Sequence, residues 1–300
     1  MNSKIQGTAP LGATLVIISS IFYGSYGIWI LLMGPAFGSF TQAMLRSILV
    51  VLCLLPIATW RRQLSRLQWR RDAKWLTFSV LSSVFVSAPL YYATQKTGIG
   101  VAITLAYIGT ILGMFAFGWL FGRERFTSRK FFSTLLGIAG LFLVFTPNLQ
   151  TAGLFALTAA FVSGLAAGLN VATSKHLPYS PLQCAIITWT GSIFINIPFI
   201  FAFHEVRLPD LSDYHWLYLL CFAATSLIAS SLVIKGVKLI EAGAAGILGL
   251  LEVVFGIIFG IIIFHENPDI ITLLGAACIM AAAAIPYIQH YNSARGRLES

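Results

Sequence analysis

"GLLEVVFGIIFGIIIF", Gly249–Phe264, carries one formal charge, Glu252, among leucine, valine, phenylalanine and isoleucine. An unpaired carboxylate in apolar surroundings is strongly disfavoured, so a partner, water or a proton must accompany it. Extended back to Gly243, the apolar run is long enough to cross ~30 Å of hydrocarbon as a helix rising ~1.5 Å per residue. Glu252 then lies about 13 Å along it, close to mid-depth. The stretch reads as a membrane span with an acid at its centre.

The rest of the chain agrees. Its 300 residues are 58% hydrophobic and 10% charged, with a mean hydropathy of +0.85. A soluble domain carries about 25% charged residues, so this chain lacks the polar surface that water requires. Apolar stretches recur at roughly 11–33, 38–58, 75–95, 99–121, 130–146, 152–174, 182–203, 215–235, 243–264 and 270–289. They predict an all-α integral membrane protein with ten transmembrane helices. Lys4 before the first run has the outline of a signal peptide. No small-residue cleavage site follows, so the run is kept as a span. Cys53, Cys184, Cys221 and Cys278 fall inside spans without metal-ligand spacing and read as small packing residues. No metal or cofactor is expected.

The net charge of +9 is a topology signal rather than a nucleic-acid footprint. Arg61, Arg62, Arg66, Arg70, Arg71 and Lys74 crowd one connection, and Arg123, Arg125, Arg129 and Lys130 another. With Lys175, Lys235, Lys238, Arg295 and Arg297 they all fall on one side if ten spans alternate. The other side holds Lys96 and Arg207 with the acids Glu205, Asp210, Asp213, Glu266 and Asp269. Cationic loops stay in the cytoplasm, which places both termini there; the plasma (inner) membrane is the expected location.

The chain also reads as two copies. Gly12, Gly27, Ser39, Gln42, Asp72, Trp75 and Leu76 recur at a constant offset of 141 as Gly153, Gly168, Ser180, Gln183, Asp213, Trp216 and Leu217. One register later, Gly118 and Glu124 correspond to Gly260 and Glu266. A repeat of this length sets the architecture: 1–147 and 151–290 as five-helix halves, with a cytoplasmic tail at 291–300. Five is odd, so the second half enters the membrane in the opposite sense. Inverted repeats are the architecture of many secondary transporters, with substrate held between them near the midplane.

"TGIGVAITLAYIGTILGMFAFGWLFGRERFT" and "IEAGAAGILGLLEVVFGIIFGIIIFHENPDIITLLGAACIMAAA" resemble the end-of-half pattern of the EamA-type branch of the drug/metabolite transporter superfamily. "SFTQAMLRSILV" is similar to that family's arginine-bearing second helix. The resemblance covers essentially the whole chain and implies a ten-helix carrier of small metabolites, often an exporter. One departure stands out. Many relatives carry a proline after the position of Glu252, where this chain has Val253, so a proline kink is not expected in the ninth span.

Polar groups at membrane depth are the candidate site. Glu252 and Arg46 are the two formal charges deep in the predicted hydrocarbon, where ionisable residues face a bundle interior or a wet cavity and often pair. Tyr23 and Tyr26, spaced i and i+3, share a helical face. Tyr107, Asn170, Trp189, Asn196 and Gln42 complete the set expected to bind substrate or couple its movement. Small-xxx-small pairs at Gly118/Gly122, Gly164/Gly168 and Gly256/Gly260 are expected to bring helices close.

The expected function is secondary transport of a small metabolite, such as an amino acid or derivative, by alternating access, with a proton as coupling ion. No Walker A segment is present for ATP. An intramembrane enzyme is disfavoured: no Asp lies within a span, and "FHENPD" lacks the second His of a zinc-binding helix. A channel would need rings of polar groups or exposed carbonyls, so it ranks second.

Overall fold

The computed structural model describes residues 3–63, 70–97, 99–122, 124, 127–145, 153–205, 208–210 and 212–285. The expected tail 291–300 and Arg66, Arg123, Arg125 and Arg207 lie outside them. Every long apolar stretch is helical: α1 (Ser3–Gly24), α2 (Tyr26–Met33), α3 (Ser39–Trp60), α4 (Ala73–Thr97), α5 (Ile99–Gly122), α6 (Ser128–Phe145), α7 (Leu154–His176), α8 (Pro181–Ala202), α9 (His215–Val237), α10 (Ala242–Gly249), α11 (Leu251–Phe264) and α12 (Ile270–Ala284). With α1–α2 and α10–α11 each taken as one span, eight helices are long and apolar enough to cross a membrane. α12 is a shorter apolar helix, and α4 has ample length but is rich in serine.

The surface and interior are reversed relative to a soluble protein. Trp60, Trp119, Leu154, Phe155, Phe194 and Phe201 are largely exposed, whereas Ser47, Ser79, Ser133, Ser163, Thr173, Asn196 and Ser226 are buried. Lipid solvates the former. The latter form internal hydrogen bonds, such as Ser19 Oγ to Ala229 O (2.8 Å) and Ser163 Oγ to Val86 O (2.5 Å).

The principal helix contacts join the first half of the chain to the second. α4 and α5 pack on α7, and α1 packs correspondingly on α9 and on α10–α11; α3 lies against α8, and α6 against α12. Exchanging the halves maps each of these pairings onto another in the set. The α5–α7 contact is made by small residues. A Cβ built on Gly164 would stand 1.9 Å from Ala106 O, and one on Gly168 would stand 2.6 Å from the Met114 nitrogen. The other expected glycine pairs act differently. Gly118 and Gly260 each lie under the carboxylate of the Glu that follows their helix, and Glu124 N and Glu266 N donate to Gly118 O and Gly260 O at 3.2 Å in both halves.

Two spans are broken. Between α1 and α2, Ile28 N donates to Ser25 O rather than one residue further back, and Ser25 Oγ donates to Phe22 O (2.7 Å). Between α10 and α11, Leu250 N donates to Ile247 O and Val253 N to Leu250 O, so the turn tightens without a proline. The two broken spans pack on each other: the backbone oxygen of Glu252 lies 2.8 Å from where a Cβ on Gly24 would sit. The absence of a kink expected from Val253 is therefore corrected. Gly249 and local 3₁₀ geometry interrupt this helix instead.

The end of the bundle where the basic residues gather is tied between halves. Glu124 accepts from Lys175 Nζ (2.6 Å) and from the Ala242 and Gly243 nitrogens (3.0 and 3.4 Å) that open α10. Its carboxylate thus meets both a cation and a helix N-terminus. Lys130 pairs with Glu241, and Tyr179 Oη donates to Asp72 Oδ2 (2.8 Å). Glu124→Ala removes a partly buried acceptor serving three donors, and should lower stability by about 1–3 kcal/mol. Thermal denaturation of the purified protein beside Glu266→Ala checks this, and equal midpoints would show that the tie contributes nothing.

Candidate functional site

A cavity of about 260 Å³ opens where α1–α4 of the first half meet α7–α9 of the second. Tyr23, Tyr26, Arg46, Asn170 and Trp189 line it, so five of the nine residues expected from sequence converge on one space. Ser83, Ser192, Thr188 and Ser230 add hydroxyls to a largely apolar wall that includes Val86, Val171, Val233 and Ile234. Ser174 and Val237, in the last turns of α7 and α9, carry the cavity toward the basic end of the bundle.

Arg46 is the cavity's cation. It lies seven residues into α3, with its guanidinium carbon 4.4 Å from the Phe222 ring centroid, 5.3 Å from Tyr26 and 5.4 Å from Trp189. Each such contact contributes about 0.5–2 kcal/mol, depending on how far the cation is desolvated. Its Nε is buried without a hydrogen-bond partner, and among the described residues no carboxylate pairs with it. The side chain is held by ring faces while its fork of donors stays open. The polar residues around it are positioned by their neighbours. Trp189 Nε1 donates to Ser230 Oγ (3.2 Å), Ser47 Oγ to Ser192 Oγ (3.0 Å), and Asn170 Nδ2 reaches Ser79 O, Ser82 Oγ and Ser83 Oγ at 3.0–3.1 Å.

Glu252 stands apart from this wall. It occupies the first turn of half-helix α11, where the exposed N–H groups of a helix start favour a carboxylate. Tyr23, which does line the cavity, lies within electrostatic range of both Glu252 and Arg46. The remaining expected residues are elsewhere. Tyr107 packs against the apolar cluster of Ile111, Leu141, Leu250 and Ile279; Asn196 is fully buried and donates to Ser192 O (2.7 Å); Gln42 Nε2 lies 3.4 Å from Met33 Sδ. The cavity hydroxyls and Phe222 were not read from sequence. The serines of α4 at 79, 82 and 83, one helical turn apart, were the available signal.

Comparison with known proteins places the arrangement. The model of the EamA-like transporter family matches twice, over residues 10–146 and 154–287. An uncharacterized transporter of Helicobacter pylori strain J99 is 20% identical, covering 94% of this chain and 96% of its own. Solute carrier family 35 member G1 of Mus musculus is 24% identical over 68% of this chain and 60% of its own. A solved structure described only as a crystal structure of protein superposes with a TM-score of 0.78 at 16% identity, covering 96% of this chain and 99% of that one; the likeness is one of fold. With both halves matched, this chain belongs to the EamA-like transporter family, within the drug/metabolite transporter superfamily.

Proposed function

We propose that this transporter is a secondary carrier that moves a small metabolite through the 260 Å³ cavity by alternating access. The observation that carries the reading is the cavity's position. Its wall draws on both halves, which meet as pairs that interchange when the halves are exchanged. A site shared in this way changes its access when one half rocks against the other. The chain crosses the plasma membrane ten times, with both termini cytoplasmic and the halves inverted. The broken spans α1–α2 and α10–α11 meet beside the cavity, as discontinuous helices do in carriers whose sites lie at mid-depth. Glu252, at the start of α11, is the proton-coupling group.

Two measurements test this. Vesicles with and without the protein are compared for solute content, and the solutes that differ should show saturation and counterflow; flux linear in gradient would mark a channel. For topology, single cysteines replace Thr127 or Asp210, both exposed, in a chain without its native thiols. An impermeant reagent outside intact cells should label Asp210→Cys and spare Thr127→Cys, and the reverse pattern would overturn the orientation.

A further inference from the structure

We infer that Arg46 makes the cavity a receptor for small organic carboxylates, its guanidinium gripping the carboxylate while Tyr26 and Trp189 face an apolar or aromatic body. The inference rests on the carrier reading and adds the class of its substrate. A guanidinium at membrane depth normally finds a carboxylate, because an unpaired charge there is costly. Here it has ring faces instead, and its buried Nε has no acceptor. Aromatic faces attract the charge but accept no in-plane hydrogen bonds, so the planar fork of N–H donors remains available. That fork matches a carboxylate through two parallel bonds.

The rest of the wall narrows the class. Among the described residues no Asp or Glu lines the cavity, so a substrate ammonium would meet only hydroxyls and the Asn170 amide. One guanidinium balances one negative charge. A carboxylate is neutralised by it, whereas a phosphate monoester near −2 is not, and among the described residues Arg46 is the single cation in the wall. The volume, just under the ~300 Å³ where drug-sized sites begin, suits a compact acid. Ser83, Ser192 and Ser230 remain to hydrogen-bond a second polar group.

The test reads the cavity's charge preference without requiring the substrate. Ser192 is replaced by cysteine in a chain lacking the four native thiols; Thr188→Cys serves if that variant fails to fold. Purified protein is treated with methanethiosulfonates bearing a sulfonate, a trimethylammonium or only a methyl group. The sulfonate reagent should react faster than the trimethylammonium one by about tenfold, as one weakly screened cation nearby requires. Arg46→Met should erase that ratio, and Arg46→Lys should keep it. Equal rates for the two charged reagents, or a ratio indifferent to Arg46→Met, overturn the inference and leave the carrier standing. If even the methyl reagent fails at both positions, the cavity is not reached by water and the carrier reading falls with it. Among protein-dependent solutes in vesicles, carboxylates should dominate in the parent and in neither Arg46→Met nor Arg46→Lys, since lysine lacks the fork. Amines or phosphate esters in their place would overturn the assignment.

Discussion

Gly164→Ala should disrupt the packed protein, although the change adds one methyl group. The new Cβ would lie 1.9 Å from Ala106 O, 2.8 Å from Ala106 C and 2.8 Å from the Thr110 nitrogen, all backbone atoms that no rotamer change can move. Relief requires α5 and α7 to separate by more than an ångström. That separation forfeits dispersion contacts along an interface that Gly109, Gly113 and Gly168 also share. Overpacking costs about 1–3 kcal/mol where side chains can yield, and a backbone clash lies at or beyond the upper end. The expected result is a fall of about 10 °C in the unfolding midpoint, or loss of the monodisperse species in detergent. Gly27→Ala is the matched control, because nothing lies within 4 Å of its Cβ and alanine favours helix. If the two variants melt together, α5 and α7 are not in backbone contact.

The same contact shows what the sequence could convey. Apolar run length identified the helices because lipid imposes it on every span, and among the described residues those stretches are helical, eight of the helices being long and apolar enough to cross a membrane. Five cavity residues were legible because polar and aromatic groups at that depth are costly unless they face one another or water. The breaks in two spans were not. A missing proline after Glu252 argued against a kink, yet Gly249 opens onto space and the turn tightens around Leu250. Glycine at a break and glycine at a close contact look alike in sequence; only the neighbouring helix separates Gly249 from Gly164. Tyr107 illustrates the opposite error. Its depth matched that of the cavity residues, but its face of α5 turns toward α6, α11 and α12, an azimuth that run length does not encode.

Glu252→Gln should abolish accumulation driven by a pH gradient while preserving exchange. The argument begins from position. Glu252 lies in the first turn of α11, beside Gly24 of α1, with no ion pair to Arg46 among the described residues. Tyr23 lies within electrostatic range of it and lines the cavity, which connects Glu252 to the wall. A carboxyl group at mid-depth must carry a proton or meet water whenever its surroundings change. Rocking of the halves would change them, because α1 and α11 belong to opposite halves. A proton taken up from one phase is then released to the other. One pH unit is worth about 1.4 kcal/mol per proton, so a coupled carrier concentrates its solute about tenfold across it. Glutamine keeps the shape and most of the hydrogen bonding but cannot exchange a proton. Proteoliposomes containing Glu252→Gln should therefore reach a solute ratio of about one, with counterflow near that of the parent. Undiminished accumulation would make Glu252 a structural group. A third outcome has its own meaning: if Glu252→Gln is unstable and Arg46→Met rescues it, the two charges depend on each other in a state where they pair, and Arg46 answers to Glu252 before it answers to a substrate.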